Sequence, residues 1–389
     1  MQQSLPADNE QFRQYVRRWL LVHYPKFKKK WGQSTALTHI GFRRAWEDYL
    51  CAHGWSALGW PKQYGGQDLN IMQQAIFLQE LAQAQTPLGV NLIGHGIIAP
   101  TLIRFGTTEQ KQRFLPGIKN NSEIWCQGYS EPTAGSDLAS VRTRAIKQAG
   151  QYIINGHKIW TSFADMAQWC FLLARTESGS TRHRGLSIFL VDMQQPGIRV
   201  EPIRQLTGQA EFCEVFFEDA IALPEHLLGQ ENDGWKIAMA AASFERGTYF
   251  IPRLIKFDQE LHQLKRLITQ KLQEEAVDSL SRLTMQQQWA KLAIDSHVLK
   301  LKSQRALQEV VDGQPPGPEG SATKVHWSEA HQEMLEFALT IVHDSPNQIA
   351  EQIELEYNYL WSKAETILAG TSEIQRNIIA ERLLGLPRA

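Results

Sequence analysis

The chain has 389 residues, more than one hydrophobic core usually supports, so its length predicts two or three domains. Its 40 Lys and Arg residues nearly balance 41 Asp and Glu residues, which excludes the strongly basic surface that binds nucleic acid or an anionic membrane. Hydrophobic residues make up 43% of the chain, enough to build globular cores.

The cysteines and the N-terminal residues bear on metal binding and location. The four cysteines are scattered without the paired spacing of a metal site: Cys51, Cys126, Cys170 and Cys213. We therefore expect no metal, and reduced thiols of the kind found in cytoplasmic proteins. Residues 1–11 carry acidic side chains and no apolar run, so no secretory signal or transit peptide is expected. No stretch is apolar over the length of a membrane span.

The first part of the chain, residues 1–122, is predicted to be helical. Apolar residues recur there at three- and four-residue spacing, as at Phe12, Val16 and Leu20. A segment rich in Gly, Trp and Pro at 54–66 is predicted to be a loop between helices.

The pattern changes to that of strands over residues 123–228. Apolar runs at 170–174, 186–191 and 212–217 predict three strands. A fourth run, 151–154, precedes Asn155-Gly156, a dipeptide typical of a hairpin turn, so we expect a hairpin there.

Helical periodicity returns over residues 229–389. The Gly- and Pro-rich stretch 313–320 is predicted to be a loop between two long helices. The order of elements therefore predicts three domains, at 1–122, 123–228 and 229–389, and an α+β multidomain fold.

Three short stretches carry the functional signal: GYSEPTAGSD at 128–137, HKIWTS at 157–162 and AGTSEIQRN at 369–377. Each alone is typical of a polar turn or an ordinary strand. Together, in this order and at this separation, they resemble the acyl-CoA dehydrogenase family, FAD enzymes that desaturate acyl thioesters. The resemblance covers essentially the whole chain and implies an N-terminal helical domain, a central β-barrel or sandwich domain and a C-terminal four-helix bundle.

The resemblance implies a set of FAD contacts. Tyr129 and Ser130 would face the flavin pyrimidine, Trp160 would pack on the isoalloxazine, and the Ser162 hydroxyl would bond near flavin N5. Ser136 would lie near the pyrophosphate and the CoA substrate.

The C-terminal motif adds two further expected contacts, Thr371 and Glu373. The alternatives are bland: a buried Trp is more often plain core, and Ser372 with Gln375 is spaced as a capping box that opens a helix. Capping is compatible with function, because a helix N-terminus presents N–H donors to an anionic cofactor.

The catalytic base is the contested residue. The family commonly places Glu directly before the Gly-Thr of the C-terminal motif, where this chain has Ala369. A minority of members place the Glu on a helix and follow it with Arg, and Phe244-Glu245-Arg246-Gly247 matches that alternative. Glu245 is therefore the expected base and Arg246 an expected substrate contact. The competing interpretations are a surface Glu-Arg without chemistry and Glu365 as a rival base.

Two family motifs are absent from the sequence. No Arg-x-x-Phe-Gly signature occurs over 250–300, and no glycine occurs over 331–369, where a loop usually meets the adenosine of FAD. Both normally come from a partner subunit. The resemblance implies a homodimer or homotetramer that passes electrons to an electron-transferring flavoprotein. In the similar bacterial branch, some members act on ring-containing CoA thioesters and some form heteromers with one catalytic chain. A non-catalytic or FAD-sharing subunit is therefore the alternative.

Overall fold

The computed structural model describes most of the chain, namely residues 5–32, 39–245, 251–273, 277–314, 317–342 and 349–387. The chain divides into two compact units. The first comprises Met1–Gln74 and Ala84–Glu245, and the second comprises Ala75–Gln83 and Arg246–Ala389.

The N-terminal part is helical, as its periodicity predicts. The described residues of this part form five α-helices: α1 (Asn9–Trp31), α2 (Ile40–Ala52), α3 (Ile71–Gln83), α4 (Ala99–Phe105) and α5 (Thr108–Lys119). In α1, the Asp8 side chain caps the N-terminus by accepting the Gln11 N–H, and the helix ends at Gly32 with φ +66°. Phe12, Val16 and Leu20 form its buried face.

Eight strands follow: β1 (Trp125–Gly128), β2 (Arg144–Gln148), β3 (Gln151–Ser162), β4 (Trp169–Arg175), β5 (Leu186–Asp192), β6 (Ile198–Ile203), β7 (Phe212–Ala222) and β8 (Leu227–Leu228). They form one hydrogen-bonded sheet in the order β6-β7-β3-β2-β4-β5-β8, with β1 paired to β4. The strands expected at 170–174, 186–191 and 212–217 are confirmed. Strands β4 and β5 are buried along almost their whole length, which explains their continuous apolar sequence.

The prediction of a hairpin turn at Asn155-Gly156 is wrong. The β2–β3 turn lies at Ala149 and Gly150, whose φ values are +49° and +84°. Strand β3 runs through Asn155 and Gly156, where its pairing with β7 shifts register as in a β-bulge. Glycine is required at 156 because a Cβ there would collide with the Thr143 side chain.

The first unit ends in α6 (Gly234–Glu245). The buried residues Ile237, Ala238 and Ala241 of α6 share one core with Leu186 and Ile188 of β5. The small alanine side chains therefore let this helix lie close against the sheet.

In its described residues, the second unit contains most of α3 together with α7 (Ile251–Lys271), α8 (Ser279–Val311), α9 (Glu319–Val342), α10 (Ile349–Ser362) and the short helix α11 (Ser372–Ile378). Its core comes mainly from α7, α8 and α9, through residues such as Phe257, Leu292 and Met334. The helical C-terminal domain is thus confirmed. The predicted loop does separate two long helices, but its last two residues, Glu319 and Gly320, already belong to α9. No helix among the described residues is long and apolar enough to cross a membrane.

Candidate functional site

Trp160 is the most unusual residue of the sheet. It lies at a register shift of β3, between Lys158 and Thr161, and has φ +61°, which is rare for a bulky side chain. Its neighbours Lys158 and Thr161 are fully buried, but the Trp160 indole is 56% exposed. An exposed indole held by a strained backbone is typical of a binding surface, because strain of this kind persists at functional sites.

The loop of residues 129–137 lies against the same part of β3. The Ile159 N–H donates to the Ser130 carbonyl at 2.9 Å, which brings Ser130 beside Trp160 in the fold. Ser162 ends β3, is partly exposed, and pairs with Phe212 of β7. Phe212 meets the Trp160 ring edge-to-face at 6.3 Å. The structure therefore brings Ser130, Trp160 and Ser162 into one region of the first unit.

The two remaining predicted residues of this loop lie in different environments. Tyr129 is half-buried, with its ring 6.1 Å from that of Phe171. Ser136 is exposed near the end of the loop. Their roles toward FAD and substrate stay predictions.

A buried ion pair fixes this loop, and the sequence reasoning missed it. Lys158 Nζ lies 2.9 Å from Glu131 Oε1 and donates to the Tyr129 carbonyl at 2.9 Å. Both Glu131 carboxylate oxygens also accept backbone N–H groups, from Arg142 and Thr143. Both residues fall within the quoted motifs, but no local pattern indicates a pair 27 residues apart in sequence.

The charges of this pair follow from burial and contact. Burial acts to raise the pKa of Glu131, but the Lys158 charge and hydrogen bonds outweigh it and hold the pKa below its usual value. Burial lowers the pKa of Lys158, and Glu131 offsets only part of that effect. A carboxylate that accepts several N–H bonds stays ionised, so Glu131 is negatively charged at neutral pH.

A cavity of about 540 Å³ begins where this loop ends. Its lining includes Ser140, the basic residues Arg142, Arg144 and Arg182, and one acidic residue, Glu177. Arg175 lies in its wall and donates to backbone carbonyls, including those of Ala139 and Val141, so its role is structural. The remaining arginines make the cavity suited to an anionic group.

The second unit carries the C-terminal motif. Thr371 is the N-cap of α11, and its hydroxyl accepts the Ile374 N–H at 3.3 Å. The prediction that Ser372 and Gln375 form a capping box is therefore wrong, because the cap is Thr371, one residue earlier. The Gln375 side chain donates instead to the Ala369 carbonyl at 2.7 Å. The cap shifts because Ala369 and Gly370 both adopt left-handed backbone, with φ +54° and +88°, and turn the chain just before Thr371.

Glu373 is exposed in the first turn of α11. Its own backbone N–H and the Thr371 hydroxyl lower the pKa of its carboxyl. The expected roles of Thr371 and Glu373 toward FAD stay predictions.

Of the two candidate bases, Glu365 has its side chain in the described part of the structure and Glu245 does not. Glu245 is the last residue of α6, and its side chain, like the whole of Arg246, lies outside the described residues. Glu365 is only 3% exposed, and His331 Nδ1 lies 2.8 Å from its Oε2. His331 Nε2 in turn lies 2.8 Å from Glu260 Oε2. Glu365 is thus committed to a buried network within the second unit.

Comparison with known proteins agrees with this arrangement. Family models match the chain in three parts: the acyl-CoA dehydrogenase N-terminal domain at residues 6–121, the middle domain at 126–220 and the C-terminal domain at 232–384. The chain therefore belongs to the acyl-CoA dehydrogenase family of flavoprotein oxidoreductases. The predicted family, three-part architecture and enzyme class are confirmed.

Individual relatives are similar over the full length. The acyl-CoA dehydrogenase IpdE1 of Mycobacterium tuberculosis is 42% identical, with 98% of each chain covered. Among solved structures, the Tcur3481-Tcur3483 steroid ACAD is 26% identical with a TM-score of 0.82 over 99% of each chain. The ChsE4-ChsE5 complex from Mycobacterium tuberculosis is 28% identical with a TM-score of 0.80 over 100% of each chain.

Proposed function

We propose that the protein is an FAD-dependent acyl-CoA dehydrogenase that introduces an α,β double bond into an acyl-CoA thioester. The observation that carries the cofactor assignment is the exposed, left-handed Trp160 beside Ser130 and Ser162. A flat indole with small hydroxyl residues around it fits a ring that needs one stacking face and several edge hydrogen bonds. When bound, FAD would accept the β-hydrogen as hydride at N5.

The protein's own residues would bind and orient FAD and the acyl-CoA substrate. Trp160 would cover one face of the flavin, the Ser162 hydroxyl would bond near N5, and Tyr129 and Ser130 would contact the pyrimidine. Thr371 and Glu373 would contact FAD from the turn before α11. The arginine-lined cavity beyond Ser136 supports binding of the CoA phosphates, because guanidinium groups pair with phosphate oxygens.

Glu245 is the proposed base for the α-proton. Ala369 cannot accept a proton, and Glu365 is engaged by His331. A positioned carboxylate is needed because the α-proton of a thioester is weakly acidic, and such a base typically contributes ~10²–10⁴-fold. Arg246 is the proposed substrate contact next to it.

The proposed acyl group is bulky and contains rings. One similarity supports this: a structural relative that matches 99% of the chain is named a steroid ACAD. A screen of CoA thioesters from short-chain to steroid-like, with an artificial electron acceptor, tests it. Electron-transferring flavoprotein is the proposed physiological acceptor.

A second candidate is an FAD-sharing or non-catalytic subunit of a heteromer. Two structural relatives carry paired names, ChsE4-ChsE5 and Tcur3481-Tcur3483, and the adenosine-side loop motif is missing from this sequence. The absorbance of the purified chain separates the two. Yellow protein whose flavin bleaches with acyl-CoA supports the enzyme; colourless protein that takes up FAD only after a second chain is added supports the subunit.

A further inference from the structure

Helix α9 presents two buried cationic side chains on one face. Lys324 and His331 are seven residues apart, which is about two helical turns, or roughly 10 Å along the axis. Lys324 is 2% exposed and His331 is 4% exposed. Basic side chains are rarely buried this completely unless they have polar partners. The hydrogen-bond partners of Lys324 and His331 therefore show which segments of the chain helix α9 contacts.

His331 bridges two carboxylates from different segments. Its Nδ1 lies 2.8 Å from Glu365, and its Nε2 lies 2.8 Å from Glu260 of α7. An imidazole whose two nitrogens both meet carboxylates donates from both when it is charged. Glu260 is also 3.4 Å from Lys256, so the negative charges around His331 are balanced.

Lys324 holds the other end of the same segment. Its Nζ donates to the Gly370 carbonyl at 2.9 Å, immediately before the cap residue Thr371. Next to His331, Gln332 of α9 donates to the Ser362 carbonyl at 2.7 Å and to the Thr366 hydroxyl at 3.2 Å. Residues 362–370 are thus hydrogen-bonded to one helix along their length.

We infer that α9 is a two-point clamp, in which His331 and Lys324 are positioning residues that fix the segment 365–370 and so place the start of α11. The inference rests on the proposed function, in which Thr371 and Glu373 contact FAD. The clamp also engages the carboxylate of Glu365, the rival candidate for the base. Apolar side chains of similar volume would join these helices without desolvating charge, so the buried charges are better explained by the geometry that they impose.

The test compares matched histidines on one helix. His331→Gln removes the buried cation, whereas His326→Gln removes the imidazole from a partly exposed pair with Asp295. Each apoprotein is titrated with FAD at a temperature at which circular dichroism shows it folded. We expect His331→Gln and Lys324→Met to weaken FAD binding about tenfold or more and His326→Gln to leave it unchanged. Equal FAD affinity in all the folded variants overturns the inference.

A charge-balanced variant covers the case in which His331→Gln does not fold. His331→Gln combined with Glu365→Gln leaves Glu260 paired with Lys256. Because the double variant also lacks the His331–Glu365 contact, it is expected to bind FAD about tenfold or more weakly than the wild type does. If the double variant binds FAD as tightly as the wild type does, the clamp is refuted.

Hydrogen exchange separates this inference from the proposed function. If wild-type protein binds no FAD, the proposed function fails, but the clamp is still tested in the apoprotein. Amides over 366–374 are then expected to exchange at least about tenfold faster in Lys324→Met and in the double variant than in His326→Gln. Equal exchange rates refute the clamp whatever the cofactor does.

Discussion

Lys158 Nζ and Glu131 Oε1 lie 2.9 Å apart in the interior of the first unit, with the two side chains 0% and 5% exposed. This pair joins the loop that carries Ser130 to the strand that carries Trp160. Removing one partner leaves the other charge buried and unpaired.

Lys158→Met is therefore expected to lower the free energy of unfolding by about 3–5 kcal/mol. Adding Glu131→Gln should recover part of that loss, because no bare carboxylate then remains. Chemical denaturation of both variants measures the difference, with exposed Lys147→Met as the control. A single variant as stable as the control would contradict the structural role assigned to the pair.

Ser162→Ala tests the hydroxyl at the end of β3. Ser162 is partly exposed, so the variant should fold with an unchanged melting temperature. The loss of one cofactor hydrogen bond should slow flavin reduction, with an energetic effect of about 0.5–1.5 kcal/mol. Stopped-flow absorbance follows the reduction. A rate identical to that of the wild type would remove Ser162 from the N5 contact.

Glu245→Gln tests the base. The amide keeps the shape of the carboxylate but cannot accept a proton, so the variant should retain FAD and bind acyl-CoA while flavin bleaching falls by ~10²–10⁴-fold. Glu365→Gln is the comparison, and its bleaching should stay closer to wild type because His331 already occupies that carboxylate. If Glu365→Gln instead loses bleaching while Glu245→Gln keeps it, the two assignments are exchanged.

The network around His331 predicts a pH dependence of stability. Burial alone would lower the pKa of His331, but the charges of Glu365 and Glu260 and their hydrogen bonds raise it to about 9. A raised pKa contributes stability below the unfolded value of about 6.5, and this contribution is lost as pH rises through about 9. Burial also acts on Glu260, but Lys256 and His331 lower the pKa of its carboxyl to about 2. The contribution of the Glu260 carboxylate to the free energy of unfolding is therefore fully present above about pH 4.5 and is lost as the pH falls through about 2.

The measurement is the difference in free energy of unfolding between wild type and the His331→Gln/Glu365→Gln variant. That difference should be largest between about pH 4.5 and 6.5, should fall as the pH rises above about 6.5, and should be lost above about 9. A difference that stays constant from pH 6 to 10 would show that His331 is not held as an imidazolium.

Self-association is predicted from α8. Leu280, Leu283, Ile294 and Leu301 of this helix are 50–73% exposed, and apolar side chains at such spacing favour contact with another helix. We expect at least a homodimer by light scattering, and a lower mass for the variant Ile294→Lys/Leu301→Lys. Ile146→Lys, on exposed β2, is the control. A wild-type monomer loaded with FAD would refute the prediction.

Much of the fold was predictable because it depends on local periodicity. The spacing of Phe12, Val16 and Leu20 predicts α1, and the apolar run at 170–174 predicts β4. The Asn155-Gly156 error has a physical cause. The same dipeptide is compatible with a turn or with a β-bulge. Its position in a β-bulge depends on close packing against Thr143, a contact that the sequence alone does not reveal.

The candidate site was predictable in part for the same reason. The 128–137 and 157–162 motifs pointed to Ser130 and Trp160, and the structure brings them together. The left-handed backbone of Trp160 and the ion pair of Lys158 were not predictable, since both depend on residues distant in sequence. The cap at Thr371 instead of Ser372 followed from the backbone at Ala369 and Gly370.

Position 369 is where the family commonly has the catalytic base, and Ala369 has a left-handed backbone conformation. This conformation affects how readily the base proposed at Glu245 would move to position 369 during evolution. A residue with a side chain already occupies this conformation, and the Gln375 amide already bonds its carbonyl. Ala369→Glu would therefore require no new backbone shape, only a longer side chain on an existing turn. Moving the proposed base from position 245 to position 369 would then take two substitutions and no insertion or deletion.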